Sequence, residues 1–203
     1  MKKKVVDYLT NFIIRNKKCS EKDILVYRYG LEALYNQVTK TVVILIITII
    51  LKTYIEYFLL IVFYTFLRLF AFGIHANTSW GCWLTSGPIY IGGSYFIKYA
   101  NYPKHIILIA LTIFIIFAIL WAPADTKKRP LIRKEQRKKL KIKSILVGII
   151  YGILVFIVTN NKILNSICFS LVLESICICP LTYYITGNTF NNYITYNKEH
   201  GLN

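Results

Sequence analysis

Charge is scarce in this chain. Only 17% of its 203 residues are charged, against 56% that are hydrophobic. A soluble domain carries about 25% charged and about 45–50% apolar residues. The apolar residues gather into runs of roughly the length needed to cross a hydrocarbon core of ~30 Å. An integral membrane protein is indicated rather than a soluble domain. Acidic residues are scarcer still: nine Asp and Glu stand against 25 Lys and Arg, for a net charge of +16. Such an excess is one footprint of nucleic-acid binding, but its placement argues against that partner. Lys2, Lys3, Lys4, Arg15, Lys17, Lys18, Lys22 and Arg28 crowd the amino end, and ten more lie between Lys127 and Lys143. The segments between are nearly bare, and positive charge gathered in alternate loops is an orientation signal for a membrane protein.

An uninterrupted apolar stretch is also missing at the amino end. Asp7, Asn11 and Arg15 break it, which argues against a cleaved signal peptide. Residues 1–18 instead place Val5, Val6, Leu9, Phe12 and Ile13 at helical spacing behind three lysines. That pattern predicts an amphipathic helix on the bilayer surface. Ser20 and Asp23 form a Ser-x-x-Asp helix start. Six spans are expected: Ala33–Leu51, Tyr57–Phe72, Pro88–Tyr99, Ile106–Trp121, Ile145–Val158 and Ile163–Ile185. The third can begin as early as Trp83, Lys40 is expected to snorkel to the headgroups, and Pro180 is expected to kink the sixth. Between them lie a Lys52–Glu56 turn, a 73–87 region of small and polar residues, a basic 123–143 loop and a polar 187–203 tail. The expected fold is all-α and polytopic, one integral membrane domain over 1–203, with residues 1–30 as an interfacial segment. No internal repeat or low-complexity tract is present.

Cysteines are few and odd in number: Cys19, Cys82, Cys168, Cys177 and Cys179. That is no disulfide framework. Cys177 and Cys179 point apart on a helix, so a metal site there is disfavoured and no cofactor or metal is expected. Cys168, Cys177 and Cys179 read as small packing residues.

Cys82 stands in a different setting, in Gly73-Ile-His75-Ala-Asn77-Thr-Ser79-Trp-Gly81-Cys82 between two apolar runs. A thiol and an imidazole at a hydrophobic–aqueous boundary are the minimal kit for nucleophilic catalysis. On a continuous helix seven residues rise about 10 Å, too far for a hydrogen bond of ~3 Å. The pair therefore works only if the chain bends between them, and Gly73, Gly81 and Gly87 are expected to ease that bend. The bland alternative is a packed thiol beside a solvated histidine. Arg68 lies near the end of a span, where it either snorkels or holds a carboxylate or oxyanion. Asn77 and Ser79 are oxyanion candidates. Asp125 is the candidate to orient His75, with Glu174 a weaker one whose partner is unknown.

Taken together, Arg68-x4-Gly73-x-His75-x6-Cys82 and Pro123-Ala-Asp125-Thr-Lys127-Lys128-Arg129-Pro130-Leu131 resemble AgrB, the membrane cysteine endopeptidase of Gram-positive peptide quorum sensing. The second stretch is similar to the family's Pro-x-Asp-(Ser/Thr)-x-x-x-Pro-(Leu/Ile) segment. The family often has a glycine pair or triplet before the histidine, where this chain has Ala71-Phe72-Gly73. The resemblance implies His75 and Cys82 as the catalytic pair, with Arg68, Gly73, Asn77, Ser79 and Asp125 in support. It implies an AgrD-like propeptide with an acidic tail as substrate, cut through a thioester and cyclised to a thiolactone or lactone. Lys127, Lys128, Arg129 and Pro130 are then candidates for holding that tail. The expected partners are the propeptide and membrane lipids, with no nucleic acid and a homo-oligomer left open. Two rival classes are a small peptide transporter and a non-catalytic membrane scaffold. The first predicts that Cys82→Ala keeps function, the second that His75 and Cys82 both tolerate replacement.

With the amino terminus in the cytoplasm, eighteen Lys and Arg lie inside, in the first thirty residues and the long loop, against Lys52, Lys98, Lys104 and Lys162 outside. This orientation follows the positive-inside rule and puts both termini, His75 and Cys82 on the cytoplasmic side of the cell membrane. An impermeant thiol reagent added to intact cells should leave Cys82 unlabelled, and label it once the membrane is opened. Labelling of Cys82 in sealed cells would reverse the topology.

Overall fold

The computed structural model describes residues 2–16, 20–75, 78–127 and 130–199. The chain is all-α there, with α1 Lys2–Asn16, α2 Glu21–Ile50, α3 Tyr54–Ala71, α4 Ser79–Tyr99, α5 Lys104–Trp121, α6 Lys134–Ile157, α7 Asn161–Ile178, α8 Pro180–Ile185 and α9 Asn192–Glu199. Among the described residues five helices are long and apolar enough to cross a membrane: α2, α3, α5, α6 and α7. The expected third span, α4, has the length but not the apolarity to join them, because small and polar residues are spread along it. This is an all-α polytopic membrane protein.

The contacts divide the chain into two compact units, residues 1–50 and 51–203. In the first, α1 packs antiparallel on α2. Lys2 pairs with Glu32 at 3.0 Å and Asp7 with Arg28 at 2.8 Å, and Val6 and Thr10 are buried. The Ser-x-x-Asp start is made as expected. Asp23 N–H donates to Ser20 Oγ (3.3 Å) while Ser20 N–H donates to Asp23 Oδ2 (3.0 Å). From that cap α2 runs unbroken to Ile50, so the polar residues before Ala33 are helical too. Lys40 is buried on α2, as are Ile44 and Thr48 one and two turns on.

In the second unit α3, α5, α6 and α7 surround a core that includes Leu67, Ile107, Phe114, Tyr151, Ile167 and Leu171. Close approach is made by glycines on α6. A Cβ on Gly148 would stand 3.2 Å from the Phe114 ring, and one on Gly152 would stand 2.9 Å from Leu111. Small residues four apart are a usual device for packing helices in lipid. The outward faces of α5 and α6 expose Ile109, Ile113, Ile116, Ile149, Ile153 and Phe156. Such surfaces suit hydrocarbon and not water.

Several expected boundaries shift for identifiable reasons. The basic 123–143 loop is helical from Lys134, because Lys, Arg, Glu and Leu there are good helix formers. The sixth span does not kink at Pro180. α7 ends, Cys179 is extended, and Pro180 opens α8 at a position that needs no N–H. The polar tail contains α9.

The helix ends sort into two groups. The starts of α3, α5 and α7 meet the end of α4 in a polar cluster. There Asn165 Nδ2 donates to the carbonyls of Ile97 (3.1 Å) and Ala100 (2.7 Å), and Tyr102 N–H donates to Asn165 Oδ1 (3.4 Å). Ser94 donates to Thr53 (3.2 Å), and Lys162 pairs with the buried Glu56 at 2.7 Å. The opposite ends carry the candidate site. Asn165→Leu removes one donor pair and one acceptor from a buried corner, so stability should fall by about 2 kcal/mol. In detergent the thermal midpoint should drop by roughly 5 °C. An unchanged midpoint would mean that water or lipid satisfies these three backbone groups.

Candidate active site

The chain leaves α3 by an abrupt turn. Phe72 donates its N–H to Arg68 O at 3.2 Å and takes φ 61, ψ −127, while Gly73 takes φ 108. The left-handed region suits glycine; a phenylalanine pays a conformational cost there. The strap over residues 72–75 is then non-helical, with all three of its first N–H groups committed. Gly73 N–H donates to Ala124 O (2.8 Å) and Ile74 N–H to Cys177 O (3.0 Å). Ala124 N–H donates back to Ala71 O (2.9 Å), completing a short parallel bridge between Phe72 and Ala124. His75 follows at once and is exposed.

Arg68 does not extend outward. Its Nη1 donates to Phe72 O (2.7 Å) and its Nη2 donates to Ile74 O. Nη1 also lies 3.6 Å from Glu174 Oε2 on α7, whose side chain is fully buried. Tyr64 sits one turn back, with Arg68 6.0 Å from its ring centroid and its hydroxyl 3.6 Å from Cys177 Sγ. The partner of Glu174 that the sequence left unknown is Arg68. Gly73 is packed so tightly that an added Cβ would collide with Arg68 Nη1 and stand 2.8 Å from Cys177 O.

Cys82 lies on the first turn of α4. Thr78 caps the helix, accepting from Gly81 N–H at 3.0 Å through its side chain, and Cys82 N–H donates to Thr78 O at 3.0 Å. The first turn of a helix is where a negative charge is best tolerated. Cys82 Sγ is 3.8 Å from Ser86 Oγ, one turn on. Trp80 and Leu84 are more than three-quarters exposed beside it, as residues at a membrane interface are. No single helix carries His75 and Cys82: His75 sits on the strap before α4. Phe72 and Gly73 turn the chain just before His75; Gly81 and Gly87, expected to ease a bend between the pair, lie inside α4.

Asp125 is buried and fully engaged. Its Oδ1 accepts Asn192 N–H (2.9 Å), and its Oδ2 accepts Tyr193 N–H (2.9 Å) and Leu131 N–H (3.3 Å). It thereby ties Leu131 to the end of α5's exit segment and caps α9. Tyr183 of α8 donates to Ala124 O at 3.2 Å. Burial pushes its hydroxyl above the usual tyrosine range, keeping it a donor. Lys127 is exposed and Pro130 half-buried. Asn77, Lys128 and Arg129 lie outside the described residues, as does the side chain of Ser79. A basic groove of about 670 Å³ lies at the start of α6, lined by Arg133, Lys134, Glu135, Gln136 and Lys139 with Asn197 of α9.

A sequence profile of one family, Accessory gene regulator B (AgrB), matches residues 6–178. The chain belongs to the AgrB family. A putative AgrB-like protein of Clostridium acetobutylicum is 26% identical over 176 residues, 87% of this chain and 84% of that one. Another, from Listeria innocua, is 27% identical over 179 residues, 88% of each. The Accessory gene regulator protein B of Staphylococcus epidermidis is 28% identical over 182 residues, 89% of this chain and 92% of that protein. No solved structure matches. Membership gives this AgrB-family protein a role in the accessory gene regulator quorum-sensing system.

Sequence reasoning singled out His75 and Cys82 as a thiol and imidazole between apolar runs, Gly73 as a hinge, Arg68 as a charge within a span and Asp125 from its side of the membrane. It missed Tyr64, Cys177 and Ser86 as neighbours of the site. Only Ser86 had an accessible signal, since it lies four residues from Cys82 once α4 is known to start at Ser79. Gly73→Ala introduces both a collision and a left-handed alanine. It should cost about 1–3 kcal/mol and lower peptide processing by more than the lost fold accounts for. Native stability in Gly73→Ala would overturn this geometry of the strap.

Proposed function

We propose that this AgrB-family protein is a cysteine endopeptidase that cuts a short propeptide and promotes its cyclisation. The observation that carries the reading is that two differently held groups stand at one end of the second unit. Cys82 is on the first turn of a capped helix, and His75 is on a strap pinned by backbone bonds to two other segments. A nucleophile at a helix start and a base on a restrained, exposed segment suit acyl transfer.

In this mechanism His75 takes the proton from Cys82 Sγ, and the thiolate attacks the carbonyl carbon of the scissile peptide bond. The C–N bond breaks, His75 returns the proton to the departing amine, and the tail leaves. A thioester to Cys82 remains. A thiol or hydroxyl of the bound peptide then attacks that carbonyl, gives its proton to His75, and displaces Cys82, which recovers the proton. A thiolactone or lactone ring is released and no water is consumed. The cytoplasmic orientation implied by the lysine and arginine distribution would deliver the precursor to this side.

An acidic tail is the fitting leaving segment. The groove lined by Arg133, Lys134 and Lys139 gives it a basic surface near the site end of α6, and Lys127, Lys128, Arg129 and Pro130 precede it. Attraction of this kind weakens with salt.

The test is intact-mass analysis after co-expression with a short peptide bearing a leader, a central Cys or Ser and an acidic tail. The native chain should carry a hydroxylamine-sensitive adduct with release of the tail. Cys82→Ala should carry none, and His75→Ala should process about 10²–10⁴-fold more slowly. Cleavage that persists in Cys82→Ala removes Cys82 as the nucleophile.

A further inference from the structure

Glu174 is a buried acidic residue at the site end of the second unit that the mechanism above does not use. It lies on α7, is 0% exposed, and faces a helical bundle whose other buried groups are mostly apolar. A carboxylate inside a membrane bundle is retained where it is paired and has work to do. Its charge partner is Arg68 Nη1, 3.6 Å from Oε2. That same guanidinium donates to the carbonyls of Phe72 and Ile74, the two residues flanking Gly73 on the strap that leads into His75. Carbonyls alone would leave the cation unneutralised, and the Glu174 carboxyl is the acidic group that lies against it.

We propose that Glu174 is a positioning residue for His75, acting through the Arg68 guanidinium that clamps the 72–74 strap. The proposal rests on the reading of His75 as the base for Cys82. Two further observations support the clamp. α7 holds the strap twice, because Ile74 N–H also donates to the carbonyl of Cys177 (3.0 Å), three residues past Glu174 on the same helix face. Gly73 leaves no room for slack, since any side chain there would meet Arg68 and the Cys177 carbonyl. Without the Glu174 charge the guanidinium is free to turn away, both carbonyls lose their donors, and the residue that moves next is His75. The other polar groups beside the clamp, Tyr64 and Cys177, are neutral hydrogen-bonding groups and do not replace that charge.

The experiment reads Cys82 without any peptide substrate. Full-length protein in nanodiscs is treated with iodoacetamide from pH 6 to pH 10, and alkylation of Cys82 is followed by peptide mass spectrometry. In the native chain Cys82 should react faster at pH 7 than in His75→Ala, and the two should converge near pH 10, where the thiol no longer needs a base. Glu174→Gln keeps the side-chain shape and should slow Cys82 at pH 7 by roughly 10- to 100-fold, again converging at high pH. Glu174→Asp should restore most of the rate. A role in stability alone would change the reaction at all pH values and would not be rescued by Asp.

A native profile in Glu174→Gln, with His75→Ala slow, overturns the positioning role and leaves the catalytic pair standing. A native profile in His75→Ala overturns both. Should Glu174→Gln fail to fold, Arg68→Lys keeps the charge pair but cannot reach both carbonyls. It should show the same slowing at pH 7, and a native profile there overturns the clamp.

Discussion

A guanidinium buried among helices must find oxygen, and the site end of this protein is organised around how Arg68 does so. Three acceptors surround it: the carbonyls of Phe72 and Ile74 and the carboxylate of Glu174. Each lies where backbone order would otherwise be lost. α3 has just ended, so its last carbonyls have no intrahelical donors. The strap that follows is too irregular to satisfy itself, and non-helical backbone at membrane depth survives only where protein or a wet cavity satisfies it. One side chain on α3, reaching forward onto its own continuation and across to α7, joins the helix end, the strap and the neighbouring helix. The Ala124 and Cys177 backbone groups complete the capture from the other side. His75 inherits its position from this arrangement.

The second unit therefore has two ends with different kinds of polar chemistry. At the end carrying the start of α7, polarity is spent on closing corners. Asn165 satisfies the end of α4 and the loop before α5, and the Glu56–Lys162 pair ties α3 to α7. At the other end, polarity holds open an irregular segment and leaves an imidazole exposed and a thiol on a first turn. α3 and α7 run in the same direction between these ends, so a charge pair links them at each: Glu56–Lys162 at one and Arg68–Glu174 at the other. Both pairs have one fully buried acidic partner. Register between the two helices is thus specified twice, which fixes the strap between them as well.

What could be read from residues alone follows from how local the signal is. The Ser20–Asp23 cap and the five most apolar spans depend on neighbours within one turn and were visible, whereas Pro180 read as a kink in one continuous span and in fact opens a separate helix. Apolar count marks where hydrocarbon begins but not where a helix begins, so α2 and α6 extend well into basic or polar sequence at their starts. The pattern Arg68-x4-Gly73-x-His75-x6-Cys82 was visible as spacing, yet its logic was not. Gly73 appeared as a flexible hinge, and its actual constraint is contact with Arg68 and the Cys177 carbonyl, a residue more than a hundred positions away. The partner of Glu174 and the α9 partners of Asp125 are also remote in sequence. Pairing across helices leaves no mark in a single chain.

Asp125 shows what such remote pairing achieves. Its oxygens accept three backbone N–H groups, one from Leu131 six residues on and two from the distant start of α9, so the segment after α5 and the start of α9 share one organiser. The residue just before it, Ala124, bridges to Phe72 through its backbone, and its carbonyl takes both Gly73 N–H and the Tyr183 hydroxyl. Arg68 and Glu174 thus hold the strap from one side, while Asp125 holds the segment that braces it from the other. Phe72 remains at φ 61 between them. A left-handed phenylalanine costs about 1–3 kcal/mol, a cost sustained only when the surroundings over-determine the backbone. Four hydrogen bonds on residues 72–74 do so: two from Arg68 and two to the carbonyls of Ala124 and Cys177. Where glycine would permit this turn, Arg68 compels it, and the strap gains in restraint what it lacks in flexibility.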